Sequence, residues 1–263
     1  MLCRLALRQT GIDAASFTFI RLISGAIALW LIVNIRKGTS QKAGSWPSAL
    51  ALFAYAAAFS FAYVNLSAGT GALLLFGAVQ ATMIIWGLWK GERLGGRQWI
   101  GLTFALSGLV ALLLPGLSAP PVGGSILMLG AGIAWGVYSL RGKAAGDPIY
   151  ATAGNFLRAV PLAAGLSIAL LPWATLDRAG IGCAMLSGAI ASGVGYAIWY
   201  AALPGLKAAS AATVQLSVPV FAAAGGIIFL GESITLRFLF ASVAVLGGIA
   251  LVVIEERRAL GAS

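Results

Sequence analysis

Residues 73–113 read LLLFGAVQATMIIWGLWKGERLGGRQWIGLTFALSGLVALL. Two apolar runs flank a short charged joint that carries Lys90, Gly91, Glu92, Arg93 and Arg97. Read outward to 69–89 and 98–115, each run has the length of a membrane helix, about 17–25 residues. Neither shows the two-residue alternation of a barrel strand, and each is about twice as long as one. Residues 213–254 repeat the arrangement. A shift of 140 positions lays Gly91-Glu92 on Gly231-Glu232, Arg97 on Arg237, Leu106 on Leu246 and Gly108 on Gly248. Charges are rare in this chain, so the Glu and Arg matches carry the comparison.

The same reading applied to the whole chain gives nine spans: 14–35, 48–66, 69–89, 98–115, 123–140, 151–172, 180–201, 208–230 and 236–254. Of the residues, 60% are hydrophobic and only 9% charged, with a mean hydropathy of +0.97. Soluble domains are about 45–50% apolar and about 25% charged, so an ordinary soluble enzyme is excluded. A disordered chain is excluded too, because it needs few apolar residues and many charges. The net charge is +10, but the cations are spread between apolar runs and form no basic face, so no nucleic-acid partner is expected. There is no His, and Cys3 and Cys183 stand alone. No metal, cofactor or His-based catalytic site is therefore expected, and no catalytic residue is assigned. The class is an all-α integral membrane protein whose constant partner is the lipid bilayer.

The repeat extends upstream at a shift of 137. Arg4 falls on Arg141, Ile12 on Ile149, Phe19 on Phe156, Arg21 on Arg158, Tyr63 on Tyr200 and Leu66 on Leu203. The first half, 1–115, holds four spans and the second, 123–255, holds five. Shifted back, the span at 123–140 finds its partner mostly before Met1. The expected parent is a ten-helix, five-plus-five fold with most of helix 1 missing. Five is odd, so the second repeat lies inverted relative to the first, a recurring transporter design. Counting cations at the span ends gives eleven on one side (from Arg36 and Lys37 through Arg141 and Lys143 to Arg258) and four on the other (Arg4, Arg8, Arg178, Arg237). The positive-inside rule then puts the C-terminus in the cytoplasm.

With these residues in view, the chain resembles the EamA-type branch of the drug/metabolite transporter superfamily. The carriers are the duplicated Gly-Glu joints, the Tyr-x-x-Leu turns at 63–66 and 200–203, the Ala-rich entries to the spans at 69–89 and 208–230, and Pro219. The position matching Pro219 is Val79, a departure from the family pattern. The resemblance implies ten helices, a central cavity and movement of small metabolites, often outward, across the inner membrane. The expected function is a secondary active exporter of small polar or amphipathic metabolites. The alternative is a truncated chain that transports only as a homodimer or not at all.

Candidate substrate-binding residues follow from what is costly in a bilayer. Arg21 and Arg158 sit about 10 Å in from opposite faces. Either they attract an anion at the cavity mouths or they snorkel to headgroups and cap nearby carbonyls. All seven carboxylates fall at span ends or in connectors, which disfavours coupling through a mid-membrane acid. Glu92 is expected to pair with Arg93, Arg97 or Arg237. Pro219 frees the carbonyl of residue 215, beside the Gln215 side chain, and Gln80 lies in the related span. These three mark either a site or a kink with helix–helix bonds. Trp46, Trp89, Trp99 and Trp173 are read as the interface belt. Trp86, Trp135, Tyr138, Trp199 and Tyr200 are deeper, and either line a cavity or pack. The small residues of Ala191-Ser-Gly-Val-Gly195 let helices approach closely, and Gly225-Gly226 is a candidate hinge.

Overall fold

The computed structural model describes residues 2–35, 44–66, 68–113, 121–142, 147–221, 224 and 235–261. Every regular element among them is helical. The α-helices, in order, are α1 (Leu2–Gln9), α2 (Ala14–Ile35), α3 (Trp46–Asn65), α4 (Ala68–Trp89), α5 (Gly96–Leu113), α6 (Val122–Gly142), α7 (Pro148–Ala169), α8 (Arg178–Leu186), α9 (Gly195–Ala202), α10 (Ala208–Gln215) and α11 (Leu236–Gly261). The Gly231-Glu232 joint and the Gly225-Gly226 pair lie outside the described residues. Helices are what a bilayer demands of such sequences, because each backbone N–H and C=O must find its partner within the segment.

Six stretches are long and apolar enough to cross a membrane: Ala14–Ile35, Trp46–Asn65, Gly69–Trp89, Val122–Gly142, Arg178–Gly205 and Leu236–Glu256. The described residues of the other expected spans are helical as well. Within the described residues they appear as α5, α7 and the helix Ala208–Phe221. Large apolar side chains such as Ile27, Trp30, Leu157, Phe240 and Val243 stand exposed on these helices, as a hydrocarbon solvent permits. The protein is a multi-pass membrane protein.

Helix starts are fixed by side chains that accept the first free N–H groups. Ser45 caps α3 with Pro47 in its first turn, Asp147 caps α7 with Pro148 behind it, and Asp177 caps α8. Asp13 caps α2. Its Oδ1 accepts from the amides of Ala15 and Ser16, and its Oδ2 accepts from the amide of Thr175 at 3.0 Å. Burial pushes this carboxyl up, but the hydrogen bonds from Ser16, Thr175 and Ala15 outweigh it and hold Asp13 below the usual carboxylate range. A lowered folded-state value contributes stability that is present above the unfolded value and is lost as pH falls through the folded one. The melting-temperature gap between wild type and Asp13→Asn is therefore expected to be constant near neutrality and to close below about pH 4. A gap that does not change down to pH 3 would remove this role.

The chain forms two compact units, Met1–Leu66 with Pro120–Gly205, and Ser67–Ala119 with Leu206–Ser263. In the first unit α3 packs on α6, α2 on α7, and α1 on α8. Phe17, Leu22, Leu52, Met128, Tyr138 and Phe156 are its large buried side chains. Thr18 donates to Ser60 at 2.9 Å across α2 and α3. In the second unit α5 packs on α11 and α4 on α10, around Ala105, Leu109, Leu216, Val220 and Val245. These units are a division of contacts, whereas 1–115 and 123–255 are a division of sequence. Each sequence half supplies helices to both units, because helices matched by the sequence shift (α2 with α7, α4 with α10, α5 with α11) pack on each other.

Glu92 does not take the expected arginine partner. Its carboxylate accepts from the amides of Ala208, at 3.1 Å, and Ala209, at the start of α10. Arg97 instead meets Glu255 at 3.5 Å. The reason is energetic. An exposed ion pair is worth about 0–1 kcal/mol, while a helix start offers several unfilled N–H groups and a favourable dipole to an anion. Glu256 acts alike, accepting from the amide of Lys207 at 2.7 Å.

Candidate functional site

In the second unit, α10 stops at Gln215, four residues before Pro219, and Leu216 donates to Thr213 in a tighter turn. This is the break that a proline imposes on the preceding turn. Gln215 Nε2 donates to Met83 Sδ at 3.2 Å, and Gln80 Nε2 donates to the Ala212 carbonyl. Gln80, Gln215 and Pro219 are all buried. The structure thus brings the two glutamines together on the α4–α10 seam, where each spends an amide on the facing helix. Helix–helix bonding, one of the two readings of these residues, describes them as they stand.

The first unit concentrates a different chemistry. Arg21 is 5% exposed, so it does not reach the headgroups. A guanidinium cannot shed its charge, and its surroundings must accommodate it. Arg21 Nε donates to Ser192 Oγ at 3.0 Å and Nη2 donates to Tyr196 Oη at 3.3 Å. The guanidinium carbon lies 5.6 Å from the ring centres of both Tyr55 and Phe59. Each such ring contributes about 2 kcal/mol when water is excluded. Nη1 is buried and has no acceptor in hydrogen-bonding geometry among the described residues.

The aromatic rings continue outward from the arginine. Trp135 lies 5.0 Å from Tyr55, 4.7 Å from Tyr196 and 5.8 Å from Tyr138. Tyr138 meets Tyr200 edge-on at 5.1 Å, and Phe156 meets Tyr196 at 5.6 Å. Tyr138, Tyr196 and Tyr200 are buried, whereas Phe59 and Trp135 are half-buried and form a rim. One cation and a wall of rings with a reachable edge suit an amphipathic molecule that carries an anionic group.

Of the expected site residues, the structure joins Arg21, Trp135, Tyr138 and Tyr200 in this cluster. Arg158 does not mirror Arg21. It is half-buried and donates Nη1 to the Gly154 carbonyl one turn back, at 2.8 Å. Trp199 is half-buried, and its indole N–H finds no acceptor among the described residues. Trp86 is 40% exposed and packs on Trp89 with the Lys90 ammonium above it, so it belongs with the surface aromatics. Trp46, Trp89, Trp99 and Trp173 are exposed as a belt requires.

Sequence reading missed Tyr55, Phe59, Ser192 and Tyr196. The signal for two of them was the small-residue run before Tyr196. Residues Ser187–Val194 form wide π-helical turns, closed by a Gly195 amide that donates to the Ile190 carbonyl. Such turns occur mostly as single insertions and frequently at functional sites. Here they present Ser192 and Tyr196 to Arg21.

The protein-family model described as the EamA-like transporter family matches residues 1–114 and 122–254. A protein of Pseudomonas aeruginosa is 57% identical over 96% of this chain and 88% of its own length. Transporter YwfM of Bacillus subtilis is 27% identical over 88% of this chain and 81% of its own. The threonine/homoserine exporter RhtA of Salmonella typhimurium is 35% identical over 52% of this chain and 48% of its own. A protein crystal structure at 17% identity shares the fold, with a TM-score of 0.78 over 98% of this chain and 94% of that one. Two family matches that between them span nearly all of an apolar helical chain leave one assignment: the protein belongs to the EamA-like transporter family and is a membrane transporter.

Proposed function

We propose that the protein is a secondary exporter of small carboxylate-bearing metabolites, exposing them to alternate sides of the inner membrane with its C-terminus in the cytoplasm. The observation that carries this reading is Arg21, a buried cation among rings, whose Nη1 amino group is left over for an oxyanion. The carboxylate would meet Arg21, and the apolar part of the substrate would lie along Trp135 and Tyr138. The exporter RhtA supports the substrate class, because it is named for two amino acids, threonine and homoserine.

The inverted-repeat reading has its own support. A Cβ on Gly101 would meet the Gly248 carbonyl, and one on Gly108 would meet the Ala241 carbonyl. The shift of 140 turns the first pair into the second, which is what a two-fold relation between the repeats requires.

The test is counterflow of labelled threonine in proteoliposomes. Saturable exchange is expected with unlabelled threonine, and at least tenfold weaker exchange with threonine amide, which lacks the carboxylate. Equal exchange with both would sink the carboxylate reading, and absence of flux with any amino acid would sink the substrate class. The orientation is read separately. Alkaline phosphatase fused after Ser263 is expected to be inactive, and an active fusion would reverse the topology.

A further inference from the structure

A cavity of about 330 Å³ opens in the first unit, where the start of α3, the end of α6 and the first turns of α7 meet. The volume is near the lower end of the roughly 300–1,000 Å³ typical of ligand pockets. Its polar lining comes from Ser45, Ser48, Arg141 and Asn155, and none of its described lining residues is acidic.

The hydrogen-bond bookkeeping of these four groups decides what fits. Arg141 Nε donates to Ser48 Oγ at 3.0 Å, and Ser45 Oγ donates to Ser48 Oγ at 2.9 Å. Ser48 thus accepts twice, and the function it has left is its own O–H donor. Asn155 is 5% exposed, and its Oδ1 accepts from the Ser45 amide at 2.8 Å. That bond fixes which end of the amide is oxygen and leaves the NH2 group as what Asn155 offers. Arg141 has five donors and gives one to Ser48. The groups remaining for an occupant are therefore a guanidinium, a hydroxyl proton and an amide NH2, all donors and one of them charged.

The backbone is shaped to hold this arrangement. Gly44 has φ +86°, and a Cβ there would run into the Gly154 carbonyl carbon, the Asn155 amide and Asn155 Oδ1. Only glycine makes that turn so close to α7, and the turn delivers the Ser45 amide to Asn155.

We propose that this cavity is an oxyanion-binding site, taking the carboxylate or phosphate group of a small solute or the phosphate of an anionic lipid. It is separate from the Arg21 cluster, and binding to it is read without transport. Its failure and that of the exporter reading are therefore distinguishable.

The test is thermal melting of the protein in phosphatidylcholine nanodiscs. Inorganic phosphate is titrated against chloride at matched ionic strength, and a second set of discs contains phosphatidylglycerol. One of the two anions is expected to raise the melting temperature of the wild type. Arg141→Gln is expected to weaken that response at least about tenfold, since a charge-assisted bond is lost, and Ser48→Ala to weaken it less. A response to free phosphate identifies a soluble oxyanion, and one confined to phosphatidylglycerol identifies a headgroup. Should Arg141→Gln melt abnormally without ligand, Ser48→Ala alone carries the comparison. A wild type that responds to neither anion overturns the proposal, as does a response that both variants share in full.

Discussion

Arg21→Met is expected to lower transport by about two orders of magnitude while leaving the melting temperature within a few degrees of wild type. The two effects separate for a physical reason. Replacing a buried charge by an apolar side chain of similar length is often neutral for stability, because the desolvation cost disappears along with the attractions. Recognition of an anion has no such compensation. The substrate loses a charge-assisted bond worth about 1.5–3 kcal/mol, and the rings of Tyr55 and Phe59 lose the cation they hold in place. Arg21→Lys keeps the charge without the planar fork, so it cannot serve Ser192, Tyr196 and a substrate together. It is expected to fall between wild type and Arg21→Met. Reconstituted flux, normalised to folded protein, checks both. Normal flux in Arg21→Met would remove Arg21 from the site, and joint loss of flux and stability would make it a structural residue.

Gly188→Val is expected to lower the melting temperature by roughly 6–12 °C, which corresponds to about 3 kcal/mol in a chain of this size. A Cβ on Gly188 would meet Ser24 Oγ and the backbone carbonyl of Arg21. A backbone carbonyl cannot swing aside as a side-chain tip can, so α2 must move off the π-helical turns. That movement also pulls Arg21 away from Ser192 and Tyr196, so transport is expected to fall with stability. Gly182→Val is the control. It lies in α8 just upstream, and a Cβ there meets nothing within 4 Å. The pair is compared by thermal melting in one detergent. An equal loss in both would mean that valine in this helix, rather than contact with α2, is the cause.

The Arg21 cluster shows why a site like this is only partly legible in sequence. The arginine itself was visible, because a charge inside an apolar run is costly wherever it points. So were Trp135, Tyr138 and Tyr200, as deep aromatics. What it bonds to was not visible. Ser192 and Tyr196 follow Arg21 by 171 and 175 positions, and no local pattern connects them. The Arg21–Arg158 match suggested equal roles, but the neighbours of each arginine differ, and so do the roles. Glu92 shows the same limit. The sequence displayed the nearby arginines, while its carboxylate went to the start of α10, more than a hundred residues on.

The sequence by itself determined that the chain is helical and lives in a bilayer, and roughly where its apolar helices lie. These are local facts. Apolar runs of fixed length, capping residues and repeated spacings act within a few turns of chain, and the bilayer forces every run to satisfy its own backbone. Only the tertiary structure decided that α2 lies against the Ser187–Val194 turns, that Ser45, Asn155 and Arg141 share one cavity, and that Gln80 and Gln215 are spent on the α4–α10 seam. Those outcomes depend on which small residues let two backbones approach and which donors then face acceptors, and both are properties of pairs of helices that no single segment contains.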